Sequence, residues 1–359
     1  MSHSQQTYHT VFRRLAQSQP QERITRTRNL ALLVTGLYLV GSCHLTRLAT
    51  RLPLVGSHDS RVQRLRRLLL NERLSVVDSY AATLQDILHY LGQRRIILIV
   101  DRTALGDRLN VLTVSVAYRG RALPLAWEVL RGPGAVPHAE VIALLRRVRQ
   151  ESSLTSDPRQ IWVVADREFQ DVGLQASVEK ELGWNYVQRI THHLWLYPLQ
   201  GEPFQPGQLA LAPDQAVSVP QVLVTRQQAG PAHFLAYWKK GTDEPWYLLS
   251  NQPGGRELLR VYDHRSWTEP MYRDFKSYGW DLEASRITDP GRLKRLLLGI
   301  ALAYVWLIQL ASQVIKAGER WRVDRTARRT WSYFRIGWNW LWYRLDHDRS
   351  LVLSPTLYP

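Results

Sequence analysis

The chain has 359 residues, of which 45% are hydrophobic and 22% are charged, and these proportions indicate a globular protein rather than a disordered one. Its 47 basic and 31 acidic side chains give a formal net charge of +16, which favours a polyanionic partner such as nucleic acid or an anionic membrane surface. The single cysteine, Cys43, excludes a disulfide scaffold, argues against a cysteine-based zinc site and fits a reducing, intracellular setting.

The basic residues are concentrated at the two ends of the chain. The formal charge is +7 over residues 1–90 and +8 over residues 291–359, but only +1 over residues 91–290. Forty-one of the basic residues are Arg, which suits phosphate recognition, although a GC-rich genome favours the same bias. We interpret this distribution as a nearly neutral catalytic module between two DNA-holding regions.

The first part of the chain has a helical pattern and carries no apolar stretch typical of a signal peptide. Residues 25–92 read as helical, and helical spacing predicts a helix over Ile24–Val40. Ser42 can cap a second short helix, and Ser57 or Asp59 can cap a third, arginine-rich one.

A helix, a short turn and an arginine-rich helix form the pattern of a helix-turn-helix, although many small helical bundles share it. We therefore expect residues 1–92 to form a helical DNA-binding domain, with Leu65, Leu68 and Leu69 of the third helix facing inward. Four arginines are expected to line the DNA-facing side of that helix, namely Arg61, Arg64, Arg66 and Arg67.

Residues 95–190 have an α/β pattern. Two continuous apolar runs each end in Asp and are typical of buried central strands, and the pair Arg119-Gly120 predicts a tight hairpin. Strands are expected over residues 95–101, 110–118, 121–129, 160–166 and 184–190, and helices over residues 138–151 and 169–182.

The composition changes after residue 193. Residues 194–250 are richer in Pro, Gly and Gln and predict a β insertion, with strands over residues 217–226, 233–239 and 246–250. Residues 262–318 return to a helical pattern and include the apolar run Leu296–Ile315, which is long enough to cross a membrane. We favour a buried core helix, because a single late span fits poorly with the acidic site described next.

Two aspartates, Asp101 and Asp166, each follow an apolar run. The carboxyl ends of neighbouring strands in an open α/β sheet are where sites assemble. Two carboxylates brought together repel each other, and a divalent cation that prefers hard oxygen ligands, Mg²⁺ or Mn²⁺, removes that cost. Each Asp alone is explained as a strand cap, but the pair favours a metal site.

A third acidic candidate, Glu269, lies in the helical segment that begins at residue 262. On an unbroken helix, Tyr262 and Lys276 lie seven residues on either side of Glu269 and share its face, and Arg265 lies four residues away. A metal-binding carboxylate beside two cations and a hydroxyl suits a phosphate-containing substrate.

These residues resemble the DDE transposases of bacterial insertion sequences, in particular the insertion-sequence-four-like family with its Tyr-Arg-Glu-Lys signature. The segment Asp101-Arg-Thr is similar to the family's Asp-x-Thr, and Ala-Asp166-Arg-Glu-Phe is similar to its Ala-Asp-Arg-Gly-Phe. The resemblance covers residues 30–315, and the four positions that match the spacing of the signature are Tyr262, Arg265, Glu269 and Lys276.

The resemblance implies an α/β, RNase H-like fold: a mixed five-stranded sheet surrounded by helices and interrupted by a β-strand insertion, beside the N-terminal helical DNA-binding domain. The implied domains are 1–92 (DNA-binding), 93–193 and 256–318 (the two parts of the catalytic core), 194–255 (the insertion) and 319–359 (a basic, Trp- and Arg-rich C-terminal region).

The resemblance also implies a mechanism. Two Mg²⁺ ions, replaceable by Mn²⁺, support cleavage at the ends of the element and strand transfer into target DNA. The partners are double-stranded DNA, both inverted-repeat ends and target, and a second protomer in a homodimeric synaptic complex, in the bacterial cytoplasm and without a membrane. The implied catalytic and metal-binding residues are Asp101, Asp166 and Glu269, and the implied phosphate contacts are Tyr262, Arg265 and Lys276.

Pro270 directly follows Glu269, and Pro is tolerated only in the first turn of a helix. The pattern Ser266-x-x-Glu269 reads as a capping box and predicts a helix start at Ser266. In that case Tyr262 and Arg265 precede the helix, and the shared face covers only Glu269 and Lys276.

Other residues leave alternatives open. Glu168 stands where the family often has Gly, and Glu283 is a rival third carboxylate. The resemblance implies base stacking by Trp238 or Trp246, although a core or strand-edge position is the simpler interpretation of both. Six of the 14 tryptophans lie in the C-terminal arm among arginines, which suits either DNA contact or a dimer interface.

Three other functions remain to be weighed against an active transposase. A transposase-derived repressor would bind DNA without cutting it, and another RNase H-like nuclease would use the same carboxylates. A membrane protein would use the apolar run near residue 300.

Overall fold

The computed structural model describes residues 1–91, 95–150, 157–325, 327–347 and 349–358. Within these ranges the chain forms α-helices and strands that pack around one continuous hydrophobic core. The helices are α1 (His3–Ser18), α2 (Ile24–Val40), α3 (Leu45–Ala49), α4 (His58–Leu70), α5 (Val76–Leu91), α6 (His138–Gln150), α7 (Val172–Ala176), α8 (Arg256–Asp263), α9 (Thr268–Phe275), α10 (Pro290–Lys316) and α11 (Tyr333–Asp346). The strands are β1 (Ile96–Leu105), β2 (Leu109–Tyr118), β3 (Arg121–Arg131), β4 (Ile161–Ala165), β5 (Asn185–Arg189), β6 (Leu196–Pro198), β7 (Ala216–Val224), β8 (Ala229–Tyr237) and β9 (Trp246–Ser250).

The strands form one mixed sheet in the order β3-β2-β1-β4-β5-β9-β8-β7-β6. β1, β4 and β5 are parallel neighbours, whereas the other neighbouring pairs are antiparallel. The first five strands form the expected mixed five-stranded unit, which is consistent with an RNase H-like domain. The strands of the expected insertion continue this unit from β5, so the sheet has nine strands and not five.

Most of the expected strands form close to their predicted positions. The β2–β3 turn contains Arg119 and Gly120 at φ angles of 51° and 79°, and two successive positive φ angles match the twist that a tight hairpin needs. The short strand β6 was not expected from the sequence. The expected helix over residues 169–182 is divided, because α7 ends at Ala176 and a π-helical turn follows over Ser177–Glu181.

The helical N-terminal region differs from expectation at its caps. α2 spans the predicted residues, and the Ser57 hydroxyl caps α4 by accepting the N–H of Ser60. Ser42 does not cap α3, whose N-cap is His44 without a side-chain hydrogen bond. α1 was missed because its buried face mixes polar and apolar residues, among them Thr7 and Arg14.

α10 is the central helix of the core. Its most apolar window is 89% buried inside the protein, so the apolar run that raised the question of a membrane span packs as a core helix. Helices from the N-terminal region lie against it: the Tyr38 hydroxyl donates to the carbonyl of Ala303 at 3.3 Å, and Arg14 donates to the Gln309 side chain at 2.6 Å.

α11 packs against α10 with a glycine at the point of closest approach. A Cβ atom built on Gly337 would overlap the backbone carbonyl oxygen of Leu307. Backbone atoms in the middle of a buried helix cannot move aside as a flexible side chain can. Gly337 therefore sets the distance between the two helices.

We predict that Gly337→Ala lowers the free energy of unfolding by about 2 kcal/mol or more, because the added methyl overpacks the α10–α11 contact. Chemical denaturation monitored by circular dichroism measures this change. The matched control is Gly134→Ala, where a Cβ meets no atom within 4 Å. Equal stability of the two variants would contradict the prediction.

A buried carboxylate, Asp274, lies on α9 behind the candidate site. It is 5% exposed, and its Oδ2 lies 3.4 Å from Nη1 of Arg121. Burial raises the pKa of Asp274 from 3.8 to about 6, although the charges of Arg121 and Arg335 oppose this rise. The folded protein therefore binds a proton at Asp274 more tightly than the unfolded chain does.

This raised pKa predicts the sign of a pH effect. The wild type should gain stability relative to Asp274→Asn, by about 1 kcal/mol, as the pH falls from about 7 to about 5, because only the wild type takes up this proton on folding. The measurement is the difference in unfolding free energy between the two proteins across this pH range. A difference independent of pH would refute the assignment.

Candidate active site

Asp101 and Asp166 lie side by side on two central parallel strands. The parallel pairing of β1 with β4 ends at Val100 and Ala165, and the two aspartates are the next residues on each strand. β1 itself continues past Asp101 through its pairing with β2. Asp101 therefore lies within a strand, whereas the sequence predicted that it ends one. Asp166 precedes a 3₁₀ turn over Arg167–Phe169.

The segment that carries the other candidates is helical but broken. α8 ends at Asp263, a 3₁₀ turn covers His264–Trp267, and α9 begins at Thr268. The unbroken helix is therefore absent, and Tyr262 and Arg265 precede α9, as the alternative with a helix start at Ser266 implied, although α9 begins two residues later. The expected capping box is also wrong, because the Ser266 hydroxyl donates to the carbonyl of Asp263 and caps no helix. Pro270 lies in the first turn of α9, where a missing N–H is tolerated.

The turn between α8 and α9 places the guanidinium of Arg265 among three carboxylates. Its Nη2 lies 2.9 Å from Oδ2 of Asp166 and 3.7 Å from Oδ1 of Asp101. Its Nη1 lies 3.1 Å from Oε1 of Glu269. The three acidic residues expected from the sequence therefore converge on one positive charge.

Each aspartate is also held by hydrogen-bond donors. In both, Oδ1 accepts the backbone N–H of the following residue, at 2.9 Å for Asp101 and 2.8 Å for Asp166. The buried Thr268 hydroxyl donates to Oδ2 of Asp101, and the Tyr262 hydroxyl donates to Oδ1 of Asp166 at 3.4 Å. These contacts fix the direction in which the carboxylate oxygens point.

The electrostatics of the site depend on Arg265. Burial raises the pKa of Asp101 from 3.8 to about 6, although the charge of Arg265 and the hydrogen bond from Thr268 oppose this rise. Burial lowers the pKa of Arg265, but the charges of Asp101 and Asp166 outweigh burial and raise it above its ordinary value. The ionised form of Asp101 therefore depends on the positive charge beside it.

A family model described as the transposase DDE domain matches residues 93–306, more than half of the 359-residue chain. The chain belongs to the transposase DDE-domain family. The matched range contains all three carboxylates, and the resemblance inferred from the sequence is confirmed at the level of this family. No curated protein matches the chain.

The oxygen donors of this DDE domain suit a divalent cation chemically, because carboxylates are the hard ligands that Mg²⁺ and Mn²⁺ prefer. In the ranges that the structure describes, no three His, Cys, Asp or Glu side chains are grouped closely enough to hold one ion. The Arg265 guanidinium lies among the three carboxylates. Cation binding at these oxygens therefore requires Arg265 to give up contacts.

Arg189 and Arg167, which were not predicted as site residues, connect the carboxylate site to the loop between β8 and β9. Arg189 at the end of β5 lies 2.6 Å from Oε1 of Glu244 and 4.0 Å from Oδ1 of Asp166. Arg167 also pairs with Glu244, at 3.2 Å. The position of Arg167 next to Asp166 was a sequence signal that it belongs to the site. Glu244 lies in the loop between β8 and β9 and had no such signal.

Two further residues of the site were not singled out for a role. Thr268 directly precedes Glu269, and its hydroxyl reaches Asp101 because α9 starts at this residue. Glu168, the position where related sequences were expected to have Gly, contacts Arg102, the neighbour of Asp101.

Lys276 ends α9 and reaches the far part of β1. Its Nζ donates to the carbonyl of Ala104 at 2.6 Å and lies 3.5 Å from Oε1 of Glu283. The rival third carboxylate, Glu283, therefore pairs with Lys276, whereas Glu269 contacts the arginine that also contacts both aspartates. This geometry favours Glu269 as the third acidic residue.

The two candidate stacking tryptophans lie in different surroundings. The Trp246 ring packs edge-on against Tyr262 with 5.0 Å between ring centroids, and Nζ of Lys239 lies 5.2 Å from the Trp246 ring centroid. The indole N–H of Trp238 donates to the carbonyl of Thr242 at 2.9 Å. Both rings are half-buried. Of the two, only Trp246 contacts Tyr262, the residue that donates a hydrogen bond to Asp166.

The arginines expected to contact DNA lie on α4, whose Leu65, Leu68 and Leu69 face inward as expected, whereas Leu70 is 49% exposed. Arg64, Arg66 and Arg67 are exposed, and Arg61 is half-buried. Arg64 donates to the side chain of Asn29 on α2 at 2.8 Å. Arg61 donates to the carbonyl of Gly56 at 3.2 Å, so the contacts described for Arg61 and Arg64 lie within the N-terminal region and not at the carboxylates.

We predict that Arg265→Ala lowers the melting temperature in the presence of a chelator, with a loss of about 1–3 kcal/mol in unfolding free energy, because it leaves buried Asp101 without its counter-charge. Thermal unfolding followed by circular dichroism measures the effect. The matched control is Arg260→Ala, which removes an exposed arginine from α8. An Arg265→Ala protein as stable as the control would show that the guanidinium does not offset carboxylate repulsion.

Proposed function

We propose that this protein is a DDE transposase of the insertion-sequence-four-like type that cleaves DNA at the ends of a mobile element and joins those ends to target DNA. Asp101, Asp166 and Glu269 act as the catalytic and metal-binding residues. The observation that carries the proposal is the convergence of these carboxylates around one guanidinium, within a domain of the transposase family.

The three carboxylates are suited to hold two divalent cations, Mg²⁺ or Mn²⁺. Like charges this close are stable only with positive charge between them, and in this structure Arg265 provides it. When bound, such cations lower the pKa of an attacking water or 3′-hydroxyl and stabilise the leaving oxygen of a phosphodiester. The chain's own part is to aim the oxygens: Thr268 orients Asp101, and Tyr262 orients Asp166.

Tyr262, Arg265 and Lys276 act on the DNA phosphates. The side chains of Arg265 and Lys276 are 25% and 27% exposed, so both reach the surface of the site. The guanidinium of Arg265 contacts three carboxylates in this structure. Arg265 therefore binds a DNA phosphate only after these carboxylate contacts are exchanged for contacts with the phosphate. A planar guanidinium can bind a carboxylate or a phosphate in the same bidentate geometry.

The partners of this reaction are double-stranded DNA and a second protomer. The +16 charge of the chain and the exposed arginines of α4 suit duplex binding by the N-terminal region. Trp246 stacks on a base displaced from the duplex near the cut, and its ring contact with Tyr262 supports this role. Joining both ends of one element requires two active sites, which a homodimer provides.

The test uses DNA that carries the sequences flanking the gene, with Mg²⁺. We predict that Asp101→Asn, Asp166→Asn and Glu269→Gln each reduce cleavage by about 100-fold or more, because each removes a charged metal ligand from the reacting centre. Gel analysis of the cut products measures the rate, and circular dichroism checks the fold.

Glu181→Gln is the matched control, since Glu181 pairs with exposed Arg146 away from the three carboxylates. Cleavage retained in all three site variants would refute the proposal. A wild-type protein that binds this DNA but does not cut it with any divalent cation would instead be a repressor derived from a transposase.

A further inference from the structure

The segment between α10 and α11, residues 319–332, combines arginines with exposed aromatic rings. Its sequence holds five arginines and two acidic residues. Trp321 and Trp331 are 55% and 49% exposed, and they are among the few large apolar side chains on the described surface. By contrast, Trp306, Trp338 and Trp340 of the same C-terminal arm are buried, so most of its aromatic content forms the core.

This segment is shaped around the carboxylate of Asp324, whose side chain is 0% exposed. Its oxygens accept the backbone N–H groups of Arg325 and Thr330, at 2.8 Å and 3.1 Å, and Nη1 of Arg320 at 3.0 Å. Burial raises the pKa of Asp324, but these hydrogen bonds outweigh burial and lower it. The segment therefore holds one negative charge inside and turns other side chains outward.

The outward side chains are mainly basic. Arg325, Arg328 and Arg329 are exposed, and the Arg329 guanidinium lies 4.9 Å from the ring centroid of Tyr333 at the start of α11. The second acidic residue, Glu319, is 3.5 Å from Nε of Arg322. Arg320 and Arg322, on either side of Trp321, therefore pair with the two acids of the segment, whereas Arg325, Arg328 and Arg329 leave its surface between Trp321 and Trp331 with a net positive charge.

The first turn of α11 connects this surface to the catalytic end of the sheet. Arg335 donates to the carbonyl of Tyr278 at 3.2 Å. Tyr278 is 62% exposed, and Arg273 lies 5.8 Å from its ring centroid. Tyr278 follows Lys276 by two residues, and Lys276 reaches the carbonyl of Ala104, three residues after Asp101 on β1. Arg273, Tyr278 and Arg335 thus connect the region of Lys276 to the start of α11, which directly follows residues 319–332.

We propose that these basic and aromatic side chains, the basic-aromatic ridge, bind the DNA next to the cleaved bond: their guanidinium groups contact phosphates and their exposed rings stack on unpaired bases. The inference rests on the proposed function, since it assigns a second contact surface to the same substrate. The ridge consists of Arg273, Tyr278, Trp321, Arg328, Arg329, Trp331 and Arg335.

The charge of the ridge favours DNA over a second copy of the chain. A two-fold interface places the same patch on both subunits, so arginines of one copy would face arginines of the other. Like charges across an interface oppose association, whereas a phosphate backbone offers complementary charge.

The experiment measures binding of the full-length protein to labelled duplex DNA, with and without a single-stranded extension, by fluorescence anisotropy at several salt concentrations. Arg328→Gln/Arg329→Gln should reduce the slope of log Kd against log salt by about 2, one for each lost phosphate contact. Trp331→Ala should weaken binding of the extended DNA by about tenfold and that of the plain duplex less.

The matched control is Arg159→Gln/Lys180→Gln, which removes two exposed positive charges from the end of the sheet where β4 and β5 begin. Ridge variants that bind with the affinity and salt slope of this control would overturn the proposal. So would ridge variants that alter the dimerisation measured by sedimentation while DNA binding stays unchanged.

The outcome is separable from that of the proposed function. Asp101→Asn should bind both DNAs with the wild-type salt slope, because the ridge lies outside the carboxylate cluster. A wild-type protein without cleavage activity would refute the catalytic proposal, while loss of the salt slope in the ridge variants would still support the ridge.

Discussion

Carboxylates of like charge repel one another, most strongly where burial removes the water that screens them. The sheet and the α8–α9 turn bring three of them together, with Asp101 almost fully buried, and the fold accommodates this because Arg265 lies among them. The same three carboxylates attract other cations. A cation that replaces the guanidinium must supply at least as much positive charge. Electrostatic balance at this point therefore connects the stability of the fold to the chemistry that we propose.

The parts that hold this balance come from distant regions of the chain. Parallel pairing of β1 with β4 sets Asp101 beside Asp166, and the break at His264–Trp267 turns Arg265 toward them. Behind α9, the long buried helix α10 and the closely packed α11 support the catalytic end of the sheet. The backbone geometry of the sheet and of one turn thus places charges that are 65 and 103 residues apart in sequence, as the numbers of Asp101, Asp166 and Glu269 show.

Much of the site was predictable because local patterns mark it. Apolar runs before Asp101 and Asp166 indicate strands whose carboxyl ends meet, and the spacing around Glu269 indicates a helical segment. The position of Arg265 among the three carboxylates was not predictable, because it depends on the turn between α8 and α9. The sequence predicted a capping box at Ser266 instead of this turn. Glu244 and Thr268 were missed since their partners lie far away in sequence. The sequence predicted a five-stranded sheet, whereas the described sheet has nine strands. The pairing of β9 with β5 that extends the sheet has no local sequence signal.

The pairing of β9 with β5 has a mechanical consequence. Strand β9 shares backbone hydrogen bonds with β5 of the central sheet, and the Ser250 hydroxyl at the end of β9 donates to the carbonyl of Tyr186 at 2.6 Å. Trp246 therefore belongs to a hydrogen-bonded extension of the sheet that carries Asp101 and Asp166, and not to a separate flap. In the function that we propose, the DNA and not the sheet must therefore bend or unstack, so the deformability of the DNA contributes to which sequences are selected.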